Sequence, residues 1–220
     1  MMRPRGSDDA GFTLVELVLV IAILGIIMVP LSNFVISYFK TYPVTETRLS
    51  ESHDAQIAAA YLSQDVANTG LRAASTPYTP QQSVWTTTSS FPASYCGQGL
   101  GTPILLLEWN NWTVSGGTGT PSMNSAAYVV ESDNALHRVY CEVTTTSKSD
   151  ATMVHNFAYP DGGNPSPVTC KATPTSSPTT AACSTATPPT NVNLKLSIKG
   201  PADTSVWYVT LSGQRRQAAS

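Results

Sequence analysis

Residues Gly11 to Leu31 read GFTLVELVLVIAILGIIMVPL, and this stretch decides how the chain is organised. From Phe12 to Phe39 the sequence holds a single charged residue, Glu16. As an α-helix this segment would be roughly 42 Å long at about 1.5 Å per residue. A bilayer core is about 30 Å thick and requires about 20 apolar residues. The segment is therefore predicted to be a helix that can cross a membrane.

Three interpretations of this segment compete. A secretory signal peptide would have a basic start, which Arg3 and Arg5 supply, and a small-x-small cleavage site after the apolar run. The residues that follow, 32–40, hold no convincing site of that kind. A plain membrane anchor leaves Glu16 without a purpose, because a carboxylate deep in the bilayer costs about 2.5–3.5 kcal/mol. Since Glu16 lies near the end of the segment, it could also extend to the interface.

The third interpretation rests on the string Gly11-Phe12-Thr13-Leu14-Val15-Glu16. It resembles the prepilin cleavage motif of type IV pilins and type II secretion pseudopilins. A short polar leader precedes the motif and a long apolar run follows it, so the resemblance covers about residues 6–40. It implies that a prepilin peptidase removes residues 1–11 by cutting after Gly11. The same enzyme would then methylate the new N-terminus at Phe12.

The resemblance also implies a role for Glu16. In this family the acidic side chain meets the N-terminal amine of a neighbouring subunit during assembly, and such pairing makes a carboxylate among apolar helices tolerable. Gly25 and Pro30 lie inside the apolar helix, where each weakens helical structure. They are predicted to mark a kink or a locally melted stretch that lets the helix lengthen in a filament. The alternative is that membrane helices simply tolerate Gly and Pro.

Beyond Lys40 the chain becomes polar but keeps a helical pattern. Apolar residues at helical spacing predict a buried stripe; they are Leu49, Ile57, Tyr61, Leu62 and Val66. One long helix from about Phe12 to Thr69 is expected, with its second half packed on the domain that follows. Pro43 could kink or interrupt this helix, and Gly70 is expected as its C-cap.

After Leu71 the pattern changes to short runs typical of strands. The predicted strands are Ile104–Trp109, Ala126–Glu131, Ala135–Val143, Thr152–Tyr159, Val192–Lys199 and Val206–Ser212. A hairpin turn is expected at Ser132–Asn134. Loops are predicted at Gln81–Pro92, Val114–Ser125 and the Thr/Ser/Pro-rich segment Thr169–Thr190. A long helix on a mostly antiparallel sheet is an α+β arrangement, which the pilin resemblance also implies.

Four cysteines, Cys96, Cys141, Cys170 and Cys183, all follow the membrane segment. An even number in an exported domain predicts two disulfides, with three possible connectivities. We favour Cys170–Cys183, which closes a short loop, together with Cys96–Cys141. A zinc site is disfavoured because the sequence has no C-x2-4-C pair.

Composition disfavours several other functions. Twelve Lys and Arg against fourteen Asp and Glu give a net charge of -2, which argues against a general nucleic-acid-binding surface. The three histidines are scattered and no G-x-S-x-G motif is present. We therefore predict no catalytic residues, no cofactor and no metal site. Two small features stay open: Trp109 and Trp112 form either an adhesive surface or part of the core, and Arg215 with Arg216 is too small a cluster to indicate DNA binding.

Two further patterns resemble larger minor pilins of the J and W types. Tyr61–Val66 is similar to their Leu-x-x-Asp-Leu-Arg helix end, and Tyr128–Cys141 is similar to a hairpin with a Tyr-x-Val … Leu-x-Arg pattern. The implied organisation is a cleaved leader at 1–11, a transmembrane and assembly helix at 12–40, and an exported pilin domain at 41–220.

The resemblance implies a structural minor subunit of a type IV pilus, not an enzyme, at the tip or in initiation. It would reside in the bacterial inner membrane with its C-terminal domain outside, and then at the cell surface in the pilus. Its partners would be other pilin subunits, the prepilin peptidase, and a separate platform protein and ATPase. Two alternatives stay open: a minor pseudopilin of type II secretion, and a membrane-anchored adhesive or ligand-binding domain that does not assemble.

Overall fold

The computed structural model describes residues 13–87, 89–115, 118–142, 146–160, 166–200 and 205–216. The chain divides into two compact units, Met1–Glu46 and Thr47–Ser220. A single helix, α1 (Leu14–Asn68), contributes to both. The structure therefore has the long N-terminal helix that the sequence predicts.

The first unit consists of the apolar part of α1. Its large apolar side chains are exposed along the helix from Leu14 to Tyr42. The helix is long and apolar enough to cross a membrane. It runs unbroken through Pro43, where the sequence allowed a kink or an interruption. Loss of one backbone hydrogen bond at a proline does not end a helix that is continued by many others on either side.

The second unit contains the rest of α1 and ten strands within its described residues. In chain order these are β1 (Leu71–Arg72), β2 (Pro80–Gln81), β3 (Val84–Thr86), β4 (Thr102–Ser115), β5 (Thr118–Val130), β6 (Leu136–Glu142), β7 (Thr146–Val154), β8 (Val168–Lys171), β9 (Asn191–Ile198) and β10 (Trp207–Gln214). A short 3-10 helix, Ala181–Cys183, lies between β8 and β9. Five of the six predicted strands correspond to β4, β5, β6, β9 and β10. The sixth, Thr152–Tyr159, overlaps β7 only at its first three residues, because β7 begins at Thr146 and ends at Val154.

The strands form three antiparallel sheets. A five-stranded sheet has the order β3-β4-β5-β6-β7, a three-stranded sheet has the order β10-β9-β8, and β1 pairs with β2. The predicted hairpin turn at Ser132–Asn134 joins β5 to β6. Asn134 takes a left-handed backbone (φ 59°), and the side chain of Asp133 accepts a hydrogen bond from the N–H of Ala135 at 2.9 Å. The predicted α+β class with a mostly antiparallel sheet is confirmed.

Three predicted loops contain more strand than expected. Most of Val114–Ser125 belongs to β4 and β5, which extend as a polar hairpin. The hydroxyls of Thr113 and Thr120 lie 3.0 Å apart across this hairpin. Backbone ladder bonds and β-branched threonines need no apolar face to form a strand, so the hydrophobic pattern missed it. Likewise β3 lies inside Gln81–Pro92, and Thr169–Lys171 belongs to β8.

The five-stranded sheet is buried on both faces at β4. Ile104, Leu105, Leu106 and Leu107 are all inaccessible to solvent. Since successive side chains of a strand point to opposite faces, a continuous apolar run is what a doubly covered strand requires. Leu105 and Leu107 pack in the main core, whereas Leu106 packs in a smaller core with Val129 and the Cys96–Cys141 pair.

Small residues bring α1 close to the sheets. The buried apolar side chains on the helix are Ala55, Ala58, Leu62 and Val66. Two residues of the predicted stripe differ from expectation: Leu49 is 68% exposed and Tyr61 is 38% exposed. Ala55 and Ala58 supply part of the contact surface, because their small side chains allow a shorter distance between helix and sheet.

Gly213 on β10 lies against this helix face. A Cβ atom placed on Gly213 would come within 2.6 Å of the Cβ of Val66 and 3.1 Å of the carbonyl oxygen of Leu62. Both neighbours belong to the rigid helix, so they cannot move aside without shifting backbone. A glycine is therefore required here by packing.

We predict that Gly213→Ala lowers the free energy of unfolding by about 1–3 kcal/mol, because the extra methyl overpacks the helix–sheet contact. Urea denaturation followed by near-ultraviolet circular dichroism measures the change. Gln214→Ala, at the next and exposed position of β10, is the matched control and should change stability by less than about 0.5 kcal/mol. Equal stability of Gly213→Ala and the unsubstituted protein would contradict this packing.

Candidate functional site

The start of helix α1 is capped by its own sequence. The Oγ1 of Thr13 accepts a hydrogen bond from the backbone N–H of Glu16 at 3.3 Å, and the carbonyl of Thr13 accepts one from Leu17 at 3.2 Å. Thr13 is thus the N-cap, and Glu16 stands three residues later, as in a capping box. The spacing of the motif therefore has a local structural role besides the one that the resemblance implies.

Glu16 lies in the first turn of α1, where unpaired backbone amides favour a negative charge. Its neighbours along the helix are exposed apolar residues, including Leu14, Val15 and Leu17. Gly11 and Phe12, the predicted cleavage and methylation positions, lie outside the described residues. The arrangement presents one carboxylate at the start of an otherwise apolar helix.

Gly25 and Pro30 are both inside the continuous helix. A Cβ on Gly25 would meet no atom within 4 Å, so no packing in this unit requires a glycine there. Near Pro30, the hydroxyl of Ser32 donates to the carbonyl of Met28 at 2.8 Å. This is the usual bond of a helical serine to the carbonyl four residues before it, whereas the carbonyl that loses its helical donor at Pro30 is that of Ile26.

The N-terminal segment also matches a known family model. The model of the prokaryotic N-terminal methylation motif matches residues 6–32, which include the cleavage motif and most of the apolar run. The chain carries the N-terminal segment of the type IV pilin and pseudopilin family. No curated protein and no solved structure gave a match to the chain.

The pilin-type segment has direct consequences for the chain. The match supports processing by a prepilin peptidase and assembly with other pilins. Together with the apolar helix it indicates a membrane anchor with the C-terminal unit outside. The motif indicates a structural role.

In the second unit of this pilin-type protein, the helix is joined to the sheet by a buried ion pair. Asp65 on α1 accepts hydrogen bonds from Arg138 on β6, at 2.7 Å from Nε and 2.6 Å from Nη2. The hydroxyl of Tyr128 on β5 donates to the same carboxylate at 2.8 Å. Three donors thus satisfy the carboxylate of a residue that is 1% exposed, as a buried charge requires.

Burial and pairing shift the pKa values of this cluster. Burial lowers the pKa of Arg138, but its hydrogen bonds and charge interaction with Asp65 outweigh burial and raise it overall. The pKa of Tyr128 is well above its ordinary value, mainly because the ring is buried and also because Asp65 is negative. Arg138 therefore stays charged and Tyr128 stays protonated, which keeps the donors in place across the physiological pH range.

The same cluster unites the two diffuse patterns that resemble larger minor pilins. Asp65 comes from the helix-end pattern, and Tyr128 and Arg138 come from the hairpin pattern. Tyr61, expected in the core, instead lies against the guanidinium of Arg138, 4.9 Å from the ring centroid. The patterns therefore mark the two sides of one helix–sheet contact.

Sequence reasoning missed other polar ties in this unit. Trp207 on β10 donates from Nε1 to the buried carboxylate of Glu51 on α1 at 2.9 Å. Trp85 donates in the same way to Glu108 at 2.9 Å. Burial raises the pKa of Glu108 above its ordinary value, and the hydrogen bond from Trp85 offsets part of that rise. An isolated acidic residue in a helical or strand pattern carries no signal of its distant tryptophan, so sequence alone could not find these pairs.

Both disulfides join the cysteines in the favoured pairing. Cys96 is bonded to Cys141 on β6, with Cα atoms 5.7 Å apart, and Cys170 on β8 is bonded to Cys183, with Cα atoms 5.0 Å apart. The first closes the smaller core over the sheet. The second holds the Thr/Ser/Pro-rich segment against β8. Cys170 and Cys183 are both fully buried.

One described cluster has the composition of a metal site. The Nδ1 of His137 lies 3.0 Å from Asp150 and 3.6 Å from Glu131, while its Nε2 lies 3.7 Å from Asp133. Burial lowers the pKa of His137, but the hydrogen bond to Asp150 and the three carboxylate charges raise it overall. Ligand atoms of Glu131, His137 and Asp150 all lie within 4.8 Å of one another and could hold a divalent cation. A protonated His137 satisfies the same carboxylates without a metal.

We predict that Asp65→Asn and Arg138→Gln each lower the free energy of unfolding by about 3–5 kcal/mol, because each leaves a buried partner without its counter-charge. The double variant should lose clearly less than the sum, since the two residues act as one pair. Urea denaturation of the full chain in detergent measures all three.

Asp54→Asn is the matched control for this cycle. Asp54 also lies on α1 and pairs with a histidine, His155, at 2.7 Å, but the histidine side chain is 64% exposed. The control should cost no more than about 1 kcal/mol. Additive losses at Asp65 and Arg138, or losses as small as the control, would show that the buried pair does not anchor the helix.

Proposed function

We propose that this chain is a minor subunit of a type IV pilus, made as a prepilin and assembled into the filament through helix α1. The observation that carries the proposal is the apolar, exposed first part of α1 with Glu16 in its first turn. A prepilin peptidase cuts after Gly11 and methylates Phe12. The subunit then leaves the inner membrane for the filament at the cell surface.

An apolar surface of this extent requires a covering at every stage. Large apolar residues from Leu14 to Tyr42 are exposed, and burial of such side chains is worth about 1.5–3 kcal/mol each. Lipid covers them before assembly, and the helices of other subunits cover them afterwards. Because both environments are apolar, the change from one to the other costs little hydrophobic free energy.

Apolar contacts alone do not fix the axial position of one subunit against the next, and Glu16 supplies that constraint. Cleavage after Gly11 creates an α-amino group at Phe12, and Glu16 becomes the fifth residue of the mature chain. A carboxylate in an apolar surrounding is strongly destabilising until it is paired. Pairing with the amine of a neighbouring subunit therefore fixes the axial position of each subunit.

Gly25 and Pro30 allow the helix to change its length. A helix needs about 1 kcal/mol more to include a glycine than an alanine, and a proline removes one hydrogen bond. Since no contact in the first unit explains Gly25, we assign both residues to local melting on assembly.

The position at the tip or in initiation is supported by the second unit. Its resemblance to larger minor pilins centres on Asp65, Tyr128 and Arg138, which meet in one buried cluster. The platform protein and ATPase that drive assembly are separate chains. A minor pseudopilin of type II secretion would use the same helix, so loss of secretion instead of loss of pili on deletion would select that alternative.

We predict that Glu16→Ala reduces the amount of subunit in sheared surface filaments at least tenfold while the membrane fraction retains it. The loss follows because the unpaired N-terminal amine of the neighbour no longer has a partner among apolar helices. Cleavage after Gly11 should be unchanged. Quantitative immunoblotting of both fractions measures the ratio, and Glu16→Asp should restore part of it.

Glu46→Ala is the matched control, because Glu46 is an exposed carboxylate on the same helix beyond its apolar part. It should assemble normally. Equal incorporation of Glu16→Ala and Glu46→Ala would rule out the registration role and leave a membrane-anchored domain that does not depend on filament assembly.

A further inference from the structure

The second unit contains a cleft that the assembly role does not use. It has a volume of about 1020 Å³ and lies where α1 ends, between the β1–β2 pair and the end of β10. Its lining is mainly polar and includes three arginines, Arg72, Arg215 and Arg216. No carboxylate is among the described residues that line it. In a chain with a net charge of -2, three arginines with no acidic partner among the described residues make this cleft a distinct positive site.

Arg215 has donors that the described residues leave unsatisfied. Its Nε and Nη2 are enclosed, and neither has a hydrogen-bond partner. Enclosed guanidinium donors without acceptors are costly. Burial lowers the pKa of Arg215 from its ordinary value, and the like charge of Arg72 lowers it further. The cleft thus holds like charges close together, and the described residues supply no acceptor for the enclosed donors of Arg215.

The backbone fixes the three arginines in place. The N–H of Arg72 donates to the Oδ1 of Asn110 at 2.6 Å. The N–H of Arg215 donates to the carbonyl of Thr190 at 3.0 Å, and that of Arg216 donates to Ala67 at 3.4 Å. Because these bonds use main-chain atoms, they leave the exposed side chains of Arg72 and Arg216 available to a ligand. Forked guanidinium donors match the oxygen pairs of carboxylates and sulfates.

Trp112 adds an aromatic surface to the same cleft. Its ring is 37% exposed, and Tyr78 packs edge-on against it with ring centroids 5.5 Å apart. Its sequence neighbour Trp109 is instead partly buried against the core. The sequence left open whether these two tryptophans belong to the core or to a binding surface. Trp109 packs against the core, and Trp112 lines the cleft.

We propose that this cleft binds an acidic oligosaccharide. Such a ligand alternates anionic groups with hydroxyls and apolar ring faces. The cleft offers the complementary set: guanidinium groups for the anions, the side chains of Asn68 and Asn110 for hydroxyls, and the ring of Trp112 for a sugar face. A nucleic acid fits less well, because continuous phosphate contacts need an extended basic surface and this chain confines three of its twelve basic residues to one cleft.

All of the residues that line the site belong to the second unit, Thr47–Ser220. Binding is measured with the full chain in detergent micelles by isothermal titration calorimetry. The probes are an oligogalacturonate, whose anions are carboxylates, and a heparin-derived oligosaccharide of equal length, whose anions are mainly sulfates. A neutral oligosaccharide, inorganic phosphate and a single-stranded DNA oligomer complete the set.

We expect at least one acidic oligosaccharide to bind, and whichever binds more tightly identifies the anion. Arg72→Gln and Arg216→Gln should each weaken binding about tenfold, because each removes a charge-assisted hydrogen-bond donor. Both side chains are exposed in the free protein, so the variants should fold, as circular dichroism can verify. Trp112→Ala should weaken binding of both oligosaccharides. Lys199→Gln removes an exposed positive charge that is not part of the cleft and should leave binding unchanged.

Several results would overturn the proposal. Absence of binding to both acidic oligosaccharides would do so, as would equal weakening by Lys199→Gln and the arginine variants. Tighter binding of the DNA oligomer would make the cleft a nucleic-acid site instead. Inorganic phosphate that binds as tightly as the oligosaccharides would reduce it to a simple ion site.

Discussion

The buried carboxylate of Asp65 constrains most of the second unit, because a charge without water must find all of its partners within the protein. Arg138 and Tyr128 supply them from neighbouring strands, so the end of the helix and the centre of the five-stranded sheet must meet at one register. Apolar contacts from Leu62 and Val66 surround this point. Such contacts tolerate sliding, whereas a three-donor ion pair does not, so we infer that the pair selects the register that the core then stabilises.

Helix α1 meets two different physical demands along its length. Up to Tyr42 it presents large apolar side chains that need lipid or other helices. From Ala55 onward it presents small residues on one face, and Gly213 on β10 is small for the same reason. The carboxylates of Glu16 and Asp65, one in each part of the helix, differ in where they find a counter-ion. Asp65 has its counter-ion within the chain, whereas we propose that the counter-ion of Glu16 comes from another subunit.

The sequence predicted those features whose signal is local. The apolar run, the N-terminal motif, the hairpin turn at Asn134 and the long helix all follow from neighbouring residues. It could not predict contacts between distant residues: Asp65 and Arg138 are far apart in the chain, and the arginines of the cleft come from both ends of the second unit. The polar extension of β4 and β5 was missed because hydrogen bonds of the backbone, and not burial, hold it. Leu49 and Tyr61 were misplaced because helical spacing does not tell which of two adjoining faces is covered.

The central claim is that this chain is a processed, assembled pilin-type subunit, and the N-terminus of the protein in sheared filaments tests it most directly. Mass spectrometry of the intact protein and of its N-terminal peptide would be made on membrane and sheared-surface fractions. The account predicts a chain that begins at N-methylated Phe12 and is present in the sheared fraction. A chain that begins at Met1 in both fractions, or one that begins beyond Phe39, would contradict it.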